Sequence, residues 1–172
     1  MTAVQIVQNF AHLFGPLQSL IWALAEFTGG FAVVIGLVRM GRSKQGHHQG
    51  GGFPLVVLGA FLLNFVWTVQ TATETFFPGA SPLSAMAYSN PSGSAASIMT
   101  QAAVGIIVLL GWGACFRGLY YLHESNTGHN NTFWKGITHL LGGGLAVNFV
   151  MLLHAIAPSI GLSGGALSGV GL

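Results

Sequence analysis

Four stretches of this chain are apolar for long enough to cross a bilayer. They run approximately over residues 16–38, 53–71, 98–119 and 136–160, each near the ~20 residues that a helix needs to traverse a hydrocarbon core. Between them lie segments rich in helix breakers. Gly41 to Gly52 and His123 to Asn131 read as turns, and the longer connection over residues 72–97 carries Pro78, Pro82 and Pro91 among many Ser and Ala. This connection is the expected place for a partner contact. Residues 161–172 form a tail of Gly, Ser, Ala and Leu with one Val. Residues 1–15 show a different pattern. Gln5, Gln8, Asn9 and His12 share one arc at helical spacing, opposite Ile6, Val7, Phe10, Ala11, Leu13 and Phe14. The segment lacks a basic n-region and a long apolar core, so it reads as an interfacial amphipathic helix and not as a cleavable signal.

The apolar pattern repeats. A shift of 84 residues places Gly52 on Gly136, Gly59 on Gly143 and Asn64-Phe65-Val66 on Asn148-Phe149-Val150. A shift of 82 aligns the preceding helices, with Gly29 on Gly111 and Gly36-Leu37 on Gly118-Leu119. The predicted fold is therefore an all-α membrane protein with four transmembrane helices. They form two tandem helical hairpins, residues 16–71 and 98–160, behind the amphipathic helix and separated by the connection over 72–97.

Charge orients this arrangement. All five Lys and Arg residues fall on one side: Arg39, Arg42 and Lys44 after the first span, Arg117 and Lys135 around the second turn. The positive-inside rule puts both turns in the cytoplasm and both termini outside it. Charged residues make up 5% of the chain and hydrophobic ones 52%, against roughly 25% charged in a soluble domain. The small basic excess does not indicate sequence-specific nucleic-acid binding. Cys115 is alone and reads as a buried apolar residue.

Few residues inside the spans offer chemistry. Ala25, Gly29, Ala32 and Gly36 share one face of the first helix, and Gly111, Ala114 and Gly118 one face of the third. Such faces let backbones approach closely, within the chain or between subunits. The run Gly142-Gly143-Gly144 suggests a close neighbour at Gly143 or a hinge. Glu26 is the only carboxylate within a span, on the order of 15 Å deep at ~1.5 Å per residue. A carboxyl group there requires a proton or a partner, and Asn64, at similar depth, is the expected partner. Val108 stands at the matching place in the second hairpin, so a symmetric carboxylate site is not expected. His139 and His154 share a stripe of the fourth span but lie about 22 Å apart along it, too far to ligate one iron. With no Asp in the chain and no Walker loop, neither an enzyme, a metal site nor a cofactor is expected.

The segment Trp134-Lys135-Gly136-Ile137-Thr138-His139-Leu140-Leu141-Gly142-Gly143-Gly144-Leu145-Ala146-Val147-Asn148 resembles the Thr-His-x-x-Gly-Gly-x-x-Ala-x-Asn segment of small membrane proteins of type IVB secretion and I-type conjugation systems, the TraQ, IcmC and DotE group. The resemblance covers about fifteen residues. It implies a structural subunit of a translocating apparatus in a bacterial inner membrane, with other apparatus subunits as partners and no catalytic residues. The chain also looks like two conjugative pilin hairpins fused, which implies homo-oligomeric assembly into a pilus or channel. By that likeness Arg39, Arg42, Lys44, Arg117 and Lys135 would bind lipid phosphates, with phospholipid as a structural partner. The competing expectation is a small transporter or ion-conducting protein that uses Glu26, with the Gly-rich fourth span as a broken helix.

Overall fold

The computed structural model describes residues 2–43, 52–76, 88, 90–125 and 132–161. Among these residues all regular structure is helical: α1 (Ala3–Ala11), α2 (Phe14–Ser43), α3 (Gly52–Leu63), α4 (Phe65–Phe76), α5 (Ala95–Ser125), α6 (Thr132–Val147), α7 (Phe149–Ile156) and a 3-10 turn over Ala157–Ile160. Among the described residues two helical stretches are long and apolar enough to cross a membrane, Ala3–Arg42, which includes most of α2, and α5; the count rises to four if each bent pair, α3–α4 and α6–α7, is one span. At 1.5 Å per residue the 30 residues of α2 extend about 45 Å, but the 12 of α3 only about 18 Å, short of a ~30 Å hydrocarbon core.

The second and fourth stretches are thus not the straight helices that hydropathy predicts. Both break at the asparagine of the repeated tripeptide. The chain turns by 86° between α3 and α4 at Asn64, and by 78° between α6 and α7 at Asn148. Neither break contains Gly or Pro. In both, the asparagine amide Nδ2 donates to the carbonyl four residues back, Ala60 O at 3.3 Å and Gly144 O at 2.8 Å. A side chain that bonds its own helix backbone competes with the main-chain ladder and favours a bend. Asn148 leaves the helical region, with φ −103° and ψ 28°. At the first bend the turn is sharp enough for the Thr68 hydroxyl to reach back and donate to Phe61 O at 3.1 Å. Gly142, Gly143 and Gly144 stay helical, so the glycine run is not the hinge.

The hairpins are closed by reciprocal glycine contacts. A Cβ on Gly29 would lie 2.8 Å from Gly59 O, and one on Gly59 would lie 2.8 Å from Gly29 O; Gly36 and Gly52 meet the same way at 2.9 Å. In the second hairpin the pairs are Gly111 with Gly143, at 2.9 and 2.8 Å, and Gly118 with Gly136, both at 3.0 Å. These are the positions that the repeat superposes. Seven residues separate successive glycines on each helix, so each antiparallel pair touches backbone to backbone at two levels two turns apart. The small faces therefore pack within the chain.

An aromatic cluster joins the two units. Trp112 of α5 makes edge contacts with Trp22 of α2 and Phe65 of α4, both at 5.5 Å between centroids, and Phe65 also meets Phe116 at 6.4 Å. Edge-to-face pairs of this kind add about 0.5–1.5 kcal/mol each beyond their buried area. Helix α1 is capped by Thr2 and Gln5, each side chain accepting from the other's backbone N–H. Its apolar arc is divided: Ala11 is buried, as is Phe14 at the start of α2, while Ile6, Phe10 and Leu13 face outward. The Phe14 ring occupies the space that a side chain on Gly105 would need.

Candidate functional site

Where the helices bend, the two units are not equivalent. Asn148 is 1% exposed and its Nδ2 also donates to Thr73 Oγ1 of α4 at 3.0 Å. Thr73 in turn donates to Val69 O at 2.8 Å. The first unit thus covers the bend of the second, although Asn148 Oδ1 is left buried without a donor. Val108, at the level of this bend, is fully buried. At the matching places of the first unit, Asn64 and Glu26 are both exposed.

The expected Glu26–Asn64 pair is not formed, since the Asn64 amide is turned back to Ala60 O. The reason lies on the helical wheel. Glu26 sits about 80° round α2 from the face centred on Gly36 that packs against α3, at ~100° per residue. It shares its stripe with Ser19, Ala23, Gly30 and Leu37, of which all but the half-buried Gly30 are exposed. A carboxyl group thus lies exposed midway along a helix long enough to span, flanked by small residues, with none of the described residues bonded to it.

Helix α2 runs past the expected end of the first span, so the basic residues there are helical. Arg39 and Arg42 belong to α2, Arg117 to α5 and Lys135 to α6, so all four are helical and exposed, while Lys44 lies outside the described residues. Arg117 is engaged: its Nε and Nη2 donate to Tyr121 Oη at 3.0 and 2.8 Å, and its guanidinium lies 5.3 Å from the Tyr121 ring centre. His139 and His154 each place Nδ1 near the carbonyl four residues earlier, Lys135 O and Val150 O. Among the described residues no three His, Cys, Asp or Glu side chains cluster as a metal site.

One feature had no reading in the sequence. A crevice of about 850 Å³ runs between α3–α4 and α5–α6, with Thr73 and Asn148 at one end and Phe53, Leu122 and His123 at the other. Its walls are almost wholly aliphatic and aromatic. It lies beside both bends, and the one signal for those bends in the sequence was a polar amide inside each apolar run. Arg39, Tyr120 and His123 line a second, smaller cavity of about 210 Å³, so His123 joins the two spaces.

Comparison with known proteins finds no family model, no curated protein and no solved structure that matches this chain.

Proposed function

We propose that this chain is a structural subunit of a membrane-embedded translocation apparatus, working by assembly with further copies of itself and not by catalysis. In this reading each bent pair is one broken span, the basic helix ends face the cytoplasm and both termini lie outside it. The five-to-none distribution of Lys and Arg supports that orientation. The secretion and conjugation context, and with it a bacterial inner membrane, rests on the resemblance of residues 134–148. The observation that carries the assembly reading is the asymmetry between the units. The second unit has its bend covered by α4 of the first, whereas the first exposes Glu26 and Asn64 at the same level. A carboxyl and an amide facing lipid are costly, and polar groups in spans turn towards protein or water. A neighbouring subunit over the Ser19–Ala23–Glu26–Gly30 stripe removes that cost, because small residues admit a helix backbone close enough to hydrogen-bond.

A second reading, a small transporter, is favoured by the bends at equivalent positions of two repeats with a crevice between them. Substitution at Glu26 separates the two. In an assembly contact Glu26→Gln keeps shape and hydrogen-bonding capacity, so oligomers survive, while Glu26→Leu weakens them by about 0.6 kcal/mol per contact, up to ~1.7. A carboxyl that carries protons cannot be replaced by Gln. Loss of proton or ion flux in reconstituted Glu26→Gln with oligomers intact would replace the assembly reading by the transporter.

A further inference from the structure

We infer that the crevice between the two hairpins is a binding site for one acyl chain of an anionic phospholipid, whose phosphate is held at the Arg39–His123 end. The inference stands whether or not the chain self-assembles, since it depends only on residues of one copy.

An apolar space of about 850 Å³ lies within the range of ligand pockets. In a membrane it does not stay empty, because protein interiors and their boundaries are packed. It does not fill with water either, since a stable water needs two to four polar partners. At the Thr73–Asn148 end the Asn148 Nδ2 already bonds Thr73 and Gly144, and Thr73 bonds Val69, which leaves Asn148 Oδ1 as one unmet acceptor, fewer partners than a stable water needs. The occupant that matches such walls is a flexible hydrocarbon. From Cys115 to His123 the wall on α5 spans eight residue steps, about 12 Å of rise, so the space is elongated along the helix axes.

Charge selects the head group. His123 lines the crevice and also the smaller cavity that Arg39 lines, and the two residues are within electrostatic reach of each other. Arg39 is exposed. Glu124 is also within reach of His123 and offsets part of the attraction for an anion there. A guanidinium and an imidazole beside the mouth of a hydrocarbon slot suit a phosphate attached to an acyl chain. A cation near an anionic leaflet attracts such a lipid about fivefold.

The glycine run supplies the test. A side chain on Gly143 would strike α5, but a Cβ on Gly142 or Gly144 would meet nothing within 4 Å. Gly144 lines the crevice and Gly142 does not. Purified protein in detergent is titrated with phosphatidylglycerol or phosphatidylcholine and the bound lipid is counted by native mass spectrometry. Wild type and Gly142→Phe should bind one phosphatidylglycerol per chain, about fivefold tighter than phosphatidylcholine. Gly144→Phe should bind neither, and the double variant Arg39→Gln/His123→Gln should lose the preference for phosphatidylglycerol while still taking lipid. Leu145→Trp, in the same wall, repeats the block should Gly144→Phe fail to give the wild-type circular dichroism spectrum. The proposal is wrong if the filled variants bind as much lipid as Gly142→Phe, or if wild type binds both lipids equally. It is equally wrong if filling the crevice splits an oligomer without changing lipid content, since the crevice then holds a neighbouring chain.

Discussion

Alanine placed at each of three consecutive glycines should change stability in opposite directions. Gly142, Gly143 and Gly144 lie in one helix, so each Gly→Ala change gains the same intrinsic helix preference, about 1 kcal/mol. That term cancels when the three are compared. At Gly142 and Gly144 nothing opposes it, because the added methyl meets open space. At Gly143 the methyl would lie 2.8 Å from both Gly111 O and Cys115 N, and 2.7 Å from Cys115 Sγ. Ordinary contact begins near 3.4 Å, so α5 and α6 must part by about 0.6 Å (3.4 less 2.8). The obstructing atoms include main chain that cannot rotate aside. Overpacking of this kind costs roughly 1–3 kcal/mol. Gly143→Ala should therefore be about 1–3 kcal/mol less stable than Gly142→Ala or Gly144→Ala, which should match or exceed wild type. Equilibrium unfolding in mixed micelles, followed by tryptophan fluorescence, measures the differences. Three equal values would show that α5 and α6 do not touch through Gly143, and would remove the basis for two glycine-closed hairpins.

Three further outcomes follow from the same geometry. Thr73→Val removes the partner of the buried Asn148 amide and should destabilise the junction between units by about 0.6 kcal/mol, up to ~1.7, measured in the same unfolding assay; no loss would mean that α4 does not cover the second bend. Gly105→Leu takes the place of the Phe14 ring and should release α1, seen as faster hydrogen exchange over residues 3–11 with α5 unchanged; unaltered exchange would show that α1 is held elsewhere. In a Cys115→Ala background, a cysteine at Ser92 should react with an impermeant thiol reagent in intact cells and one at Ser43 should not; the reverse pattern would invert the orientation inferred from charge.

The sequence disclosed the parts of this fold that depend on composition and recurrence, and concealed those that depend on direction. Hydropathy located the apolar runs that become α2 to α7, because runs of this length have few other uses. The two shifts that superpose Gly29 on Gly111 and Gly59 on Gly143 marked the glycines that close each hairpin, but left open whether their faces meet within the chain or between subunits. The same comparison found Asn64-Phe65-Val66 and its copy, but as a marker of repetition and not as a bend. A hydropathy window averages over a single amide, and the 86° and 78° turns arise from one side chain bonding its own helix. The Glu26–Asn64 pair failed for a related reason. Depth along a helix is legible from residue number, but the azimuth of a partner on another helix is not. The crevice, which lies between α3–α4 and α5–α6 beside both bends, was illegible for the same cause.

If copies of this chain meet over the Glu26 stripe, site-specific photocrosslinking will capture the contact. The photoreactive residue p-benzoylphenylalanine would replace Leu37, which lies on the stripe, or Leu24, which is also exposed but faces about 140° away. Both positions already carry a large side chain, so neither variant adds much bulk. Irradiation of membranes containing this chain alone should give an adduct of twice the chain mass from position 37, and lipid adducts only from position 24. Lipid adducts from both positions, or two-chain adducts in equal yield from both, would contradict assembly through this face.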